Sequence, residues 1–252
     1  MSVDGATAMR KVFVDLHLCP PVNDDEKVRA LVKRSVELGY KIAGITFPAD
    51  FSREDLERVR KICCEMGLDL ATRVDLTPKS SKELLSTLTK IRRKFEIIAV
   101  NCNSREVAIQ ASKDRRVDIL LFALGDPRRH FFSESEARLA SEKYAALEIN
   151  MSQLICSEGI HRVRLLSMLR KDVLLARKFG VPIILSSGAS EPHLLRRPED
   201  YAFLSYLIGL DLNSARKSLS KIPYSIINRN RRKLSPNYVC FGVYVVKRGG
   251  DC

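Results

Sequence analysis

Asp15 and His17, two residues apart at the end of an apolar run, Glu148 in a second such run and His193 beyond a third are the donor types that hold divalent cations. Gathered at the mouth of a barrel, they would make a metal-dependent phosphoesterase, the cation activating water against a phosphodiester. The set is thin. The sequence has four histidines, and of the other two His161 falls at the start of a predicted helix and His130 in a basic loop. A lone histidine at a strand end is more often a hydrogen-bonded structural group than a ligand, so both readings stand.

A second chemistry is anion binding. Ser186-Ser187-Gly188-Ala189-Ser190 is a run of small residues whose backbone N–H groups could cradle phosphate, but no Gly-Lys-Ser follows it, and a tight turn between strand and helix explains it equally well. Arg128-Arg129-His130 and Arg196-Arg197 each follow a predicted strand, on the side where barrel loops carry function, and the guanidinium fork suits a phosphate backbone. Arg92-Arg93-Lys94 and Arg115-Arg116 precede strands, which puts them on the opposite rim and reads as plain surface. Between Leu212 and Gly250 lie nine basic residues and no acidic one: Arg216, Lys217, Lys221, Arg229, Arg231, Arg232, Lys233, Lys247 and Arg248. Such a run repels itself unless something neutralises it, which favours an anionic partner over a solvated helix face.

These residues must be positioned by an alternation of short β-rich runs and amphipathic stretches. Strands are predicted at Val12–Leu16, Ile42–Phe47, Leu68–Val74, Ile97–Val100, Val117–Phe122, Ala146–Ile149 and Pro182–Leu185. Between them, Val28, Leu31, Val32 and Val36 share one helical face, and Ser52, Ser80-x-x-Glu83 and Ser133-x-x-Glu136 open further helices. Helices are also predicted over Arg105–Lys113 and His161–Phe179, and Pro198 fits the first turn of another. Seven such units favour a TIM-barrel-like (β/α) barrel over an open sheet. The eighth strand is irregular: little chain separates the helix ending near Ile208 from the one opening at Asn213, and strand-like Tyr238–Val246 comes after it. The expected organisation is an N-terminal extension over 1–10, one barrel domain over 11–233 including an extra C-terminal helix, and a basic tail over 234–252.

Composition narrows the function. The hydrophobic fraction of 45% excludes wholesale disorder. Lys plus Arg number 43 against 30 Asp plus Glu, a formal charge of +13 that calls for nucleic acid or lipid, and no apolar run is long enough to span a bilayer. Met1–Arg10 lack the apolar core of a signal peptide. The seven cysteines form no CxxC pair and read as buried thiols, so a cytoplasmic, reducing location is expected.

Five segments, in order, carry a family resemblance: Phe95 to Asn101 leading to Ser104-Arg105; Val117-Asp118-Ile119-Leu120; Leu147-Glu148-Ile149-Asn150; Ile184 to Ala189 followed by Leu195-Arg196-Arg197-Pro198-Glu199-Asp200; and Ala215 to Ser220 ahead of Pro223. Across nearly the whole chain the sequence resembles the archaeal family of ribonuclease P protein component 3, homologues of a eukaryotic thirty-kilodalton subunit. The resemblance implies a barrel related to polymerase-and-histidinol-phosphatase (PHP) metallohydrolases, with the metal site largely decayed. Asp15-Leu16-His17 stands where the hydrolases carry paired histidines. It further implies a part in removing the 5′ leader of precursor tRNA, with the RNA subunit and magnesium carrying the hydrolysis. This chain would then have no catalytic residue, metal or cofactor of its own. A small second protein, component 2, is the implied direct partner alongside the RNA and the other ribonuclease P proteins. Arg105, Lys143, Arg196, Arg197, Arg216 and Lys217 are the expected contacts to RNA phosphates or to that partner, joined on charge and position alone by Arg128 and Arg129. Asp118, Ser186, Ser187 and Asp200 are expected to support them, the aspartates by orienting bases or capping helices. The residues before Arg10 and after Lys233 look specific to this sequence.

Overall fold

The computed structural model describes residues 12–123, 130–240 and 243–245. In chain order the elements are β1 (Phe13–Leu18), α1 (Asp25–Glu37), β2 (Tyr40–Thr46), α2 (Arg53–Glu65), β3 (Asp69–Leu76), α3 (Ser81–Ile91), β4 (Ile97–Asn101) and α4 (Arg105–Lys113). After them come β5 (Ile119–Leu121), α5 (Glu134–Lys143), β6 (Ala146–Asn150), α6 (Met151–Cys156), α7 (Gly159–Phe179) and β7 (Ile183–Ser186). The remainder is α8 (Pro198–Leu204), α9 (Leu212–Ser218), α10 (Lys221–Leu234) and a short antiparallel pair, β8 (Tyr238–Cys240) with β9 (Val243–Tyr244). Short polar side chains start the helices: Asp24, Ser52, Ser80 and Ser104 each accept a backbone N–H of the first turn.

Strands β1 to β7 pair in sequence order, all parallel, as consecutive β-α-β units require. The ring closes without an eighth strand. At the upper end, where the strands finish, Leu18 bridges Ala189 and the Cys19 N–H donates to the Ala189 carbonyl at 2.8 Å. At the lower end the Val14 N–H donates to the carbonyl of Leu219, just after α9, at 2.9 Å. The fold is therefore the expected TIM-like barrel with an irregular end, and β8 and β9 form a separate sheet.

Apolar residues fall in two shells. Leu18, Ile45, Val74, Ile98, Leu120, Leu147, Ile149 and Leu185 face the helices. Val14, Leu16, Ile42, Ala71, Ile97, Ala99, Ile119, Ala146 and Ile184 fill the inside. Ile226 and Ile227 of α10 join that inner cluster, so the C-terminal helix stops the lower end of the barrel. Polar contacts fasten it there: Arg229 to Asp118, the Asn230 carboxamide N–H to the Glu96 carbonyl, and Arg231 to Asp69 and Glu96.

The cysteines correct one expectation. Cys63 and Cys102 are buried, with burial pushing the Cys63 thiol up to about 12, but Cys64 and Cys156 are exposed because each falls on the outer face of its helix.

Candidate functional site

Within the barrel the inward side of each strand changes character along its length. It reads Ala71, Arg73, Asp75 on β3; Ala146, Glu148 on β6; and Ile184, Ser186 on β7. Apolar residues thus fill the lower layer, and a polar network occupies the upper one.

Arg73 is its centre and has no solvent exposure. Its Nε donates to Asp75 Oδ1 at 2.6 Å, and its Nη1 donates both to the Leu16 carbonyl at 2.8 Å and to Glu148 Oε1 at 3.0 Å. Nη2 lies 2.8 Å from Glu148 Oε2, close in charge though not aligned as a hydrogen bond. His17 completes the ring, with Nδ1 2.8 Å from Glu148 Oε1 and Nε2 3.0 Å from Asp75 Oδ2. Two cations therefore alternate with two anions. Burial pushes Glu148 up, but the charges of Arg73 and His17 outweigh it and hold the carboxyl down at about 2. Asp75 is lowered likewise, burial being outweighed by Arg73 and His17. Burial and the Arg73 charge pull His17 down, yet Glu148 and the bond to Asp75 leave it well above its ordinary value. Glu148 is accordingly a poor base, and Ser186 Oγ donates to the same Oε1.

The proposed metal set of Asp15, His17, Glu148 and His193 is not assembled. His17 and Glu148 do meet, but the guanidinium of Arg73 fills the space between the carboxylates where a shared cation would have to sit. His193 is out of reach, with a side chain 70% exposed and paired with Glu191. Among the described residues no group of three or more His, Cys, Asp or Glu could hold a metal ion. Asp15 accepts the backbone N–H groups of His17 and Ser187 through Oδ1, while Oδ2 has no hydrogen-bond partner and burial pushes the carboxyl up.

Ser186 and Ser187 are not a phosphate cradle. Both are buried, and Ser187 Oγ donates to the His17 carbonyl and accepts the Ala189 N–H. Gly188, at φ +61°, turns the chain where a side chain would overlap the Asn150 carboxamide. The tight-turn reading holds.

The basic residues sort by partner. Arg105, Arg197 and Lys217 are exposed; Lys143 is half-buried, 4.0 Å from Glu142. Arg196 donates to the carbonyls of His193 and Leu195. Arg216 forms a two-pronged pair with Glu199, and Asp200 caps α8 by accepting the Arg197 N–H at 3.2 Å. Arg128 and Arg129 lie outside the described residues. The C-terminal run lacks acids only along the sequence. In the fold, Glu199, Asp118, Asp69 and Glu96 come from other segments to meet Arg216, Arg229 and Arg231. Nor are the lower-rim clusters plain surface: Arg116 pairs with Asp114, and Arg92 shares buried Asp118 with Arg229.

Sequence reasoning missed Arg73 and Asp75. Period-two alternation with inward Ala71 was the available signal, but a strand ended at Val74 leaves Asp75 in a loop.

Comparison with known proteins gives consistent results. The family model for RNase P subunit p30 matches residues 12–235. Ribonuclease P protein component 3 of Methanococcoides burtonii is 31% identical over 233 residues, covering 92% of this chain and 93% of that protein. The component 3 protein of Methanothermobacter thermautotrophicus is 29% identical over 218 residues, covering 85% and 88%. A chain from a cryo-EM structure of archaeal ribonuclease P with mature tRNA superposes with a TM-score of 0.78 at 26% identity, covering 93% of this chain and 98% of that one.

Proposed function

Because the chain belongs to the ribonuclease P subunit p30 family, we propose that it serves as a protein subunit of that ribonucleoprotein, assisting removal of the 5′ leader from precursor tRNA. The observation carrying this reading is the family match along nearly the whole barrel, on a scaffold whose upper layer is closed by the Arg73 ring. A charge of +13 supports a role against RNA, since each phosphate neutralised releases condensed counterions.

In this reading the RNA subunit performs the hydrolysis with its own magnesium, in the cytoplasm where precursor tRNA is processed, and component 2 docks directly on this chain. The chain itself is not catalytic. Among the described residues the buried polar atoms around His17 without a hydrogen-bond partner are Asp15 Oδ2 and the facing Arg73 Nη2 and Glu148 Oε2, which are close in charge, and Glu148, held acidic, does not take a proton from water. The ring instead fixes β1, β3, β6 and β7 to one another, which makes the barrel a rigid support for its outer surfaces.

Reconstitution tests the assignment. The RNA and the other proteins are assembled with and without this chain, and 5′ cleavage of precursor tRNA is scored; equal cleavage in both overturns it. The metallohydrolase reading is tested on the chain alone with manganese or zinc. Phosphodiester turnover that disappears in the His17→Ala, His193→Ala double variant would establish that reading instead.

A further inference from the structure

At the lower end of the barrel two guanidinium groups flank one carboxylate, with Lys233 further along α10 and Arg115 in the turn ahead of β5. Asp118 is buried, with Arg92 Nη1 3.1 Å from its Oδ2 and Arg229 Nη2 2.8 Å from its Oδ1. Arg92 Nη2 is buried there without a hydrogen-bond partner. Lys233, one turn along α10, is pulled below its ordinary value by partial burial and by the charges of Arg229, Arg92 and Arg115, with Asp118 opposing. The other carboxylates at this end are already occupied, Asp69 and Glu96 by Arg231 and Asp114 by Arg116. Together six cations (Arg92, Arg115, Arg116, Arg229, Arg231 and Lys233) face four carboxylates (Asp69, Glu96, Asp114 and Asp118), an excess of two positive charges. Arg115 and Lys233 are surplus, and like charges are not held together without a counter-charge.

The same edge presents an aromatic ring in an unusual setting. Tyr144 closes α5, and its carbonyl accepts a hydrogen bond from Arg229 Nη1 at 3.3 Å. The residue is 70% exposed, and at φ +60° it is the one non-glycine residue in the left-handed region among those described. That conformation strains a bulky side chain and is natural to Gly or Asn. A strained, solvent-facing tyrosine on an edge that carries excess positive charge is costly for stability and suited to contact.

We propose that this lower end is an RNA contact in which Arg115, Lys233 and the outer faces of Arg92 and Arg229 hold backbone phosphates while Tyr144 stacks on an adjacent unpaired base. Guanidinium forks match phosphate oxygens in pairs, and an exposed aromatic ring beside them is how single-stranded segments are gripped. An acidic protein would use both the cations and the ring; RNA is favoured because the chain belongs to a ribonucleoprotein subunit family, and the experiment separates the two. The inference rests on the ribonuclease P reading and adds to it a place, opposite the end where barrel loops ordinarily act.

The test measures binding of the full chain to ribonuclease P RNA across a salt series. Variants are Tyr144→Asn, Tyr144→Phe, the pair Arg115→Gln with Lys233→Gln, and a control pair, Lys27→Gln with Arg53→Gln, from the α1 and α2 surfaces. The Arg115, Lys233 pair is expected to flatten the slope of log affinity against log salt by about 1.5, two contacts at roughly 0.7 to 0.9 each. Tyr144→Asn is expected to weaken binding roughly tenfold while its melting temperature stays level or rises, since Asn suits the left-handed site. Tyr144→Phe keeps the ring and the affinity. If the Tyr144→Asn and Arg115, Lys233 variants bind RNA as the control pair does, the inference is overturned. Normal RNA binding with failure to enter the reconstituted particle overturns it in favour of a protein contact. An unchanged chain that binds RNA at no salt concentration overturns the functional reading itself, and this inference with it.

Discussion

The guanidinium of Arg73 faces the carboxylate of Glu148, with Nη1 3.0 Å from Oε1 and Nη2 2.8 Å from Oε2, and neither side chain is exposed to solvent. A buried pair of this kind contributes little net stability while intact, because desolvation offsets attraction, but removing one partner strands the other charge.

Arg73→Ala should therefore cost about 3–5 kcal/mol, read as a loss of unfolding free energy in urea. Glu148→Ala should cost a similar amount. The double variant should lose clearly less than both together, because the second change removes a charge already stranded. Additive losses would show that the two side chains are not coupled.

Acid should unfold the protein through the same ring. Glu148 is depressed from an ordinary 4.5 to about 2, so its contribution is present above about pH 4.5 and is lost as pH falls towards 2. Asp75, also depressed, acts in the same direction. His17 has the opposite sign. Its raised value means a contribution complete below its ordinary 6.5 and lost as pH climbs through the folded value. Urea unfolding from pH 2 to 9 should show the acid limb, and Glu148→Gln should flatten it; an unchanged limb in that variant would assign acid unfolding elsewhere.

Gly188→Ala should destabilise by about 1–3 kcal/mol. The position has φ +61°, and the new methyl would meet the Asn150 carboxamide, itself held by accepting the Ser152 N–H at 3.0 Å. Asn150→Gly combined with it should recover the part due to collision but not the part due to backbone. Differential scanning calorimetry separates the two.

Asn230→Ala removes a buried donor and leaves the Glu96 carbonyl unsatisfied, at a cost of about 1–3 kcal/mol. Arg232→Ala, one turn-face away and exposed, should change stability by less than about 0.5 kcal/mol. Equal effects at the two positions would mean that α10 is not docked as described.

The barrel was legible because its local signals agree. Serine caps open α2, α3 and α4, and the apolar spacing from Val28 to Val36 fixes the buried face of α1. Its inner chemistry was half legible. His17 and Glu148 could be named as strand-end polar residues that meet, but not the Arg73 cation and Asp75 that complete the ring. Arg73 resembles any exposed arginine until the strand's inward face is known, and β1 hides its own facing behind a register shift between Asp15 and Leu18. The pairing of Arg229 with Asp118 was invisible for another reason: 111 residues separate them, and no periodicity links a helix to the turn ahead of a strand so distant in sequence.

Helix α10 has one more consequence, for the order in which the molecule can be completed. Ile226 and Ile227 stop the inner layer from a helix that follows all seven strands in sequence, so a ribosome halted before Lys221 holds those strands around an apolar lumen with no floor. Such a partial product exposes what chaperones recognise, and docking of α10 withdraws it.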